Sequence, residues 1–179
     1  LRAYSGKLFC LEEHLGRLSE SCGGICRPLP LKKVELKQWV VKALQESLIS
    51  DARLRLSIHW KNALSGTFLL IISKFKAHPK TWYEKGVSVS TTTVKRWTLR
   101  AQDPQVKSSA FVNGVLAVLD HRENAAHELI FLNQEGNVSE GSISNIFIVK
   151  EKRLWTPAAG SGILRGITSG LVMDLSKKR

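Results

Sequence analysis

The chain has 179 residues, of which 43% are hydrophobic and 23% charged, and its formal net charge is +12. This composition supports a folded core in one large or two small domains and excludes a disordered chain. Apolar runs such as residues 68–72 are too short to cross a bilayer and the basic residues are dispersed, so neither a membrane nor a nucleic acid is an expected partner.

The cysteines and the chain ends add two expectations. Cys10, Cys22 and Cys26 are few and odd in number, which favours a reducing compartment, the cytoplasm, with an organelle left open. With His14, the pair Cys22 and Cys26 falls short of four zinc ligands, so no metal is expected. The chain starts at Leu1 and its last helix pattern reaches the final residue, which predicts a fragment truncated at both ends.

The first half of the chain predicts two helices and then a β-hairpin. Residues 9–21 form a helix ended by Gly23 and Gly24, and a second helix follows Pro28 and Pro30. The apolar positions that recur at helical spacing are Leu11, Leu15, Leu18 and Cys22, then Leu36, Val40, Val41, Leu44 and Leu48. Residues 53–59 alternate as a strand, 62–66 turn, and 67–73 form a buried strand.

In that alternating strand, the apolar side chains are expected on one face and the polar ones on the other. The apolar set is Leu54, Leu56 and Ile58, and the polar set is Arg53, Arg55, Ser57 and His59. The polar face is compatible with binding a substrate carboxylate and equally with the solvated face of a sheet.

The second half predicts a linker, a helix and a run of short strands. Residues 87–94 form a strand, 95–106 a polar linker, and Ser108 or Ser109 caps a helix to about Arg122. The side chains expected on its buried side are Phe111, Val115, Leu116 and Leu119. Strands follow at 128–132, 138–140, 145–149 and 153–156, with a hairpin turn at 135–137 and a Gly/Ser-rich loop at 158–165.

Lys107 and Glu140 are the candidate catalytic residues. Lys107 precedes the capped helix, where a pocket would ease loss of its proton, although most lysines are solvated surface charges. Glu140 lies in a strand and is followed at once by Gly141, Ser142 and Ser144. This carboxylate is either a solvent-facing strand residue or the partner of a cationic ring nitrogen. The two serines are either anion ligands or ordinary loop residues.

The start of the last helix is a candidate phosphate site. Gly166, Ile167 and Thr168 open it, with Thr168 as the expected N-cap, and helix N-termini present free N–H groups and a positive dipole end. An ordinary helix cap is the alternative. Arg17, on the first helix beside His14, is either a phosphate ligand or an exposed partner of Glu13.

Read in order, these segments resemble the class IV, fold type IV, aminotransferases that use pyridoxal 5′-phosphate (PLP). This family includes branched-chain aminotransferases, D-amino-acid aminotransferases and aminodeoxychorismate lyases. The matching stretches are 1–9, 11–18, Lys107-Ser-Ser, Val138-Ser-Glu-Gly-Ser-Ile-Ser-Asn-Ile-Phe-Ile-Val and Gly162-Ile-Leu-Arg-Gly-Ile-Thr. The chain departs from the family pattern at Ser169, where arginine is usual, and at Ser57-Ile-His-Trp, where a strand ending in Thr or Thr-Arg-Gly is usual.

The resemblance implies a role for each matching residue. Lys107 is similar to the lysine that holds the cofactor as a Schiff base and moves the substrate proton, and Glu140 to the partner of the pyridine nitrogen. The other cofactor-binding residues it implies are Arg17, Ser142, Ser144, Leu164, Ile167 and Thr168, with Leu164 packed on the cofactor ring. Weaker substrate-binding candidates are His14, Arg55 and His59.

The resemblance also implies a two-domain α/β (α+β) fold. A small N-terminal α/β domain (1–94), a linker (95–106) and a larger PLP-binding domain with a barrel-like sheet (107–179) are expected, both domains being incomplete. The implied activity is amino transfer between an amino acid, with branched-chain substrates favoured, and a 2-oxo acid, in a homodimer. The alternatives are a 4-amino-4-deoxychorismate lyase and a truncated, inactive family member.

Overall fold

A computed structural model describes residues 1–62, 65–97, 102–110, 112–121 and 126–178. The chain divides into two compact units, Leu1–His78 and Pro79–Arg179, each with buried apolar residues of its own. The domain boundaries expected from the sequence, 1–94, 95–106 and 107–179, stay predictions.

A four-stranded antiparallel sheet and two helices form the first unit. The strands β1 (Arg2–Tyr4), β2 (Lys7–Phe9), β3 (Ala52–Trp60) and β4 (Gly66–Lys74) lie in the order β2-β1-β3-β4. The helices are α1 (Leu11–Gly24) and α2 (Lys33–Glu46). The predicted hairpin of β3 and β4 is confirmed, with Leu54 opposite Ile72 and His59 opposite Thr67.

The core of the first unit lies between these helices and the sheet. Its buried residues are Ala3, Leu11, Leu15, Leu36, Val40, Leu44, Ala52 and Leu54. The helical spacing of the apolar residues therefore identified the buried faces of both helices. Leu48 is the exception, because α2 ends at Glu46 and leaves the Leu48 side chain 93% exposed.

The hairpin of β1 and β2 was not predicted, and assigning Phe9 to a helix was wrong. Each strand has only three residues, too few for an alternating pattern. The hairpin turn is made by Ser5 and Gly6, both with positive φ (46° and 76°), as a type I′ hairpin turn requires. Cys10, also at positive φ, then redirects the chain into α1 at Leu11.

Short elements make up the second unit. They are α3 (Lys80–Lys85), β5 (Val89–Thr91), α4 (Val112–Asp120), β6 (Glu128–Leu132), β7 (Val138–Gly141), β8 (Ile148–Lys150), β9 (Arg153–Trp155), a 3-10 turn (Ala159–Ser161) and α5 (Ile167–Ser176). Strands β5, β6 and β7 form one sheet, parallel and then antiparallel, and β8 pairs with β9. The β6–β7 hairpin turns at Gly136, as predicted, with φ of 84°.

The prediction for α4 was wrong in its start and in its buried face. The helix begins at Val112, so neither Ser108 nor Ser109 caps it, and Phe111 lies outside the described residues. Asn113 and Ala117 are buried, whereas Val115 and Leu119 are more than half exposed. The helix buries the side that carries Asn113 and leaves its more apolar side exposed, which is the reverse of what its sequence pattern indicates.

Candidate active site

Glu140 lies one residue before the end of β7, and its side chain is nearly buried in the second unit. Its residue is only 7% exposed. One carboxylate oxygen, Oε2, accepts a hydrogen bond from the backbone N–H of Leu164 at 2.9 Å. The other, Oε1, accepts from the guanidinium of Arg96 in a salt bridge. Of the two interpretations left open by the sequence, a solvent-facing Glu140 is therefore wrong.

Arg96 is the residue that the sequence analysis missed. It lies in the segment interpreted as a linker, yet its backbone N–H donates to the carbonyl of Leu132 at 3.0 Å, which continues the sheet beyond β5. Its guanidinium also lies over the ring of Phe131, 5.4 Å from the centroid. Arg96 and Glu140 are 44 residues apart, and no local pattern joins two residues at that separation.

Opposing influences act on the Glu140 carboxylate. Burial raises its pKa, while the Leu164 N–H, Arg96 and Lys107 lower it, and the balance lies above the ordinary value for glutamate. The Coulombic effect of Lys107 places its ammonium within electrostatic reach of Glu140. The side chain of Lys107 is nevertheless exposed, so the expectation that a pocket encloses it is not met in this structure.

Polar side chains from three segments hold the loop at residues 162–165. Gln105 donates to the carbonyl of Ile163 at 2.8 Å and accepts from the N–H of Arg165 at 3.3 Å. Asn145 donates to the carbonyl of Leu164 at 3.0 Å, opposite the Glu140 contact to the same residue's N–H. Because all these bonds reach backbone atoms, the loop path is determined by its surroundings rather than by its own side chains.

Ser142 and Ser144 both donate their hydroxyl protons to Glu128. The oxygen–oxygen distances are 2.6 Å and 2.8 Å, and the backbone N–H of Ser142 also donates to Glu128 at 2.9 Å. Anion binding by these hydroxyls, one of the two interpretations of the sequence, stays a prediction.

The last helix begins two residues earlier than an N-cap at Thr168 would place it. Ile167 is its first residue, so Gly166 occupies the N-cap position and the expectation that Thr168 caps the helix was wrong. Among the described residues, no side chain caps the first turn of α5. Thr168 is exposed, and Ile167 and Leu164 are half-buried. This uncapped helix start retains the free N–H groups that suit a phosphate.

Gly166 leaves no room for a side chain, because the amide of Asn145 lies directly against it. A Cβ built there would overlap the amide oxygen of Asn145 and lie 2.9 Å from Oγ of Ser169. We expect Gly166→Ala to break the bond from Asn145 to Leu164 and to lower the free energy of unfolding by about 1–3 kcal/mol. Urea unfolding measures this, with Gly170→Ala as the matched control, since Gly170 lies in the same helix and faces open space. Equal stabilities of the two variants would contradict the steric argument.

The remaining candidates lie in the first unit. Arg17 and His14 are half-buried on α1; burial lowers the pKa of Arg17, and Glu20, rather than Glu13, partly offsets this. Arg55 and His59 are exposed on the outer face of β3, as the alternation predicted, and Oγ of Ser57 lies 3.2 Å from Nε2 of His59. The roles expected of these four residues stay predictions.

The part of the chain that the structure describes contains neither a cluster of potential metal ligands nor a membrane-spanning helix. Among those residues, no group of three or more potential metal ligands lies together. None of the helices found there has the length and hydrophobicity needed to cross a membrane.

The mixed α/β fold matches that of the fold type IV enzymes. A branched-chain aminotransferase of Thermoproteus uzoniensis, crystallised with norvaline, superimposes with a TM-score of 0.89 at 27% identity over 99% of this chain and 63% of that one. Enzymes of this fold class include the PLP-dependent class IV aminotransferases.

The chain belongs to the family described as amino-transferase class IV, whose model matches residues 1–179. A Methanocaldococcus jannaschii protein, provisionally named a branched-chain-amino-acid aminotransferase, is 33% identical over 99% of this chain and 64% of its own length. A D-alanine aminotransferase of Listeria monocytogenes is 29% identical over the same shares. The chain thus spans a little under two thirds of these relatives.

Proposed function

We propose that this protein is a PLP-dependent aminotransferase that moves an amino group between an amino acid and a 2-oxo acid. The observation that supports this best is the buried carboxylate of Glu140, paired with Arg96 and within electrostatic reach of Lys107. A charged carboxylate is costly to bury, and a nearly buried one with a cationic partner and a neighbouring lysine is a candidate functional group.

The described residues fit the cofactor. A carboxylate offers about four acceptor positions, and the two bonds to Glu140 leave one on each oxygen for a protonated ring nitrogen. The uncapped start of α5 suits the phosphate, and Gly166 keeps side-chain atoms away from it. When bound, PLP supplies an electron sink for the negative charge that develops at the substrate α-carbon.

The catalytic roles in this proposal are divided between two residues. Lys107 would hold the cofactor through its aldehyde, and its free amine would serve as the acid–base group for the proton at the substrate α-carbon. Glu140 keeps the ring nitrogen protonated. Arg96 holds Glu140 in place and favours its ionised form.

The remaining site residues are proposed on the family resemblance. Ile167 and Thr168 are proposed as phosphate ligands, Leu164 packs on the ring, and Ser142 and Ser144 line the neighbouring turn. Arg17 is proposed as a phosphate ligand on the resemblance alone. His14, Arg55 and His59 are proposed for the substrate. The exposed cationic face of β3, beside the half-exposed Leu69 and Ile71 of β4, has the chemistry to take a carboxylate with an apolar group.

Branched-chain amino acids are the proposed substrates. The names of the relatives and the norvaline in the Thermoproteus uzoniensis structure support an aliphatic side chain. We further propose a homodimer, as the family resemblance implies, in a reducing compartment such as the cytoplasm. The three unpaired cysteines agree with that compartment.

Absorbance and product assays of the purified protein test the function. We expect a PLP absorption band and conversion of leucine or valine that depends on 2-oxoglutarate. Release of pyruvate from aminodeoxychorismate without any 2-oxo acid would instead identify the lyase. Absence of both reactions, with no PLP bound, would identify an inactive family member and overturn the proposal.

A further inference from the structure

The carboxylate of Glu128, at the start of β6, is the most heavily hydrogen-bonded carboxylate in the second unit as described. It accepts four hydrogen bonds, at 2.6–2.9 Å, from the N–H groups of Leu129 and Ser142 and the hydroxyls of Ser142 and Ser144. Three of these donors belong to the turn that follows Glu140 directly. Glu128 is only half-buried, so these bonds, not enclosure by the core, determine its position.

The turn at residues 141–144 wraps around this carboxylate. The N–H of Gly141 donates to the carbonyl of Ser144 at 2.8 Å, which closes the turn. A Cβ on Gly141 would overlap Oγ of Ser144 and lie 3.1 Å from the Glu128 carboxylate. The turn therefore depends on a glycine at its first position and on Glu128 at its centre.

The ionisation of the Glu128 carboxylate determines which way the serine hydroxyls point. Burial raises the pKa of Glu128, but the bonds from Ser142, Ser144 and Leu129 together lower it below its ordinary value. Ionised at neutral pH, the carboxylate only accepts hydrogen bonds, so both serine hydroxyls must point their protons toward it. Neither proton is then available to a phosphate.

We propose that Glu128 is a positioning residue of the active site, which acts through Ser142 and Ser144 to hold the turn after Glu140 and thereby the Glu140 carboxylate. The effect of Glu128 on PLP binding rests on the proposed function, whereas its effect on the turn at residues 141–144 does not. It assigns the two serines to Glu128 rather than to the cofactor.

Glu128→Gln tests the role with nearly unchanged size. The Gln oxygen can still accept the three bonds made to Oε1, but the amide NH2 group takes the place of the Oε2 acceptor of Ser144, and the negative charge that strengthens all four bonds is lost. We expect PLP affinity to fall about tenfold, and the pH midpoint of the absorption change of bound PLP to shift because Glu140 moves relative to the ring. Glu135→Gln is the matched control, since Glu135 is exposed in the turn of the same hairpin.

A double-mutant cycle separates positioning from direct cofactor contact. If the serines act through Glu128, Ser142→Ala with Ser144→Ala weakens PLP binding clearly less in Glu128→Gln than in the wild type. If they bind the phosphate themselves, the losses add. The same cycle, measured by unfolding of the PLP-free protein, should also be non-additive.

The outcomes distinguish the two proposals. A wild-type protein that binds no PLP, with coupling still present in the PLP-free cycle, would overturn the proposed function alone. PLP binding in the wild type with additive losses, or with Glu128→Gln matching Glu135→Gln in affinity and pH midpoint, would overturn the role of Glu128.

Discussion

Replacing Lys107 with alanine should abolish covalent attachment of PLP and lower the transamination rate at least about 1000-fold. The physical reason is that one amine both binds the aldehyde and carries the proton, and positioned acid–base groups alone contribute about 100- to 10,000-fold. Borohydride reduction followed by peptide mapping measures the attachment, and steady-state kinetics with 2-oxoglutarate measure the rate. We expect the protein to keep its fold, because the Lys107 side chain is exposed.

Lys150→Ala is the matched control for this prediction. Lys150 is an exposed lysine of the same unit, at the end of β8, and carries no role in the proposal. Its variant should keep the reducible absorption band and the wild-type rate. A band that persists in Lys107→Ala, or a borohydride label found on a different lysine, would show that the nucleophile lies elsewhere in the chain.

Replacing Arg96 with glutamine should be the most destabilising substitution of a site residue, at about 3 kcal/mol of unfolding free energy. The side chains of Arg96 and Glu140 are 23% and 10% exposed, and removal of one partner leaves a nearly buried carboxylate without its cation. The loss should shrink at low pH, because a protonated Glu140 has no charge to leave unpaired. Urea unfolding at neutral and acidic pH measures both quantities.

Two further variants test whether this loss belongs to the ion pair. Arg96→Gln combined with Glu140→Gln should regain much of the stability, since no unpaired charge is left buried. Arg153→Gln, at an exposed arginine of β9, should stay within about 0.5 kcal/mol of the wild type. If Arg96→Gln lowered the free energy of unfolding no more than Arg153→Gln does, the salt bridge would not contribute to stability.

The elements of the first unit were largely predictable because their signals are local. Leu11 and Leu15, or Leu36 and Val40, lie one helical turn apart, and each pair is buried as that spacing indicates. Alternation along β3 identified its buried face in the same way. The three-residue strands β1 and β2 carry too short a pattern to be recognised, and α4 buries the side of Asn113 and Ala117 instead of its more apolar side.

Only the site residues that lie within short sequence motifs could be predicted. Glu140, Gly166 and Leu164 lie in stretches that resemble the family, and the structure brings Glu140 and Leu164 into contact. Arg96 and Glu128 lie outside those stretches, and their partners are 44 and up to 16 residues away in the chain. An arginine in a polar segment and a glutamate at the start of a strand both resemble ordinary surface charges until the fold is known.

The loop at residues 162–165 is suited to substitution at one position, Leu164. Gln105, Glu140 and Asn145 bond only to backbone atoms of this loop. A different side chain at Leu164 should therefore leave the backbone conformation of the loop unchanged. A library randomised at that single residue would therefore vary the surface offered to a bound molecule while the scaffold stays constant. Selection from such a library would show which side chains the proposed contact with the cofactor ring tolerates.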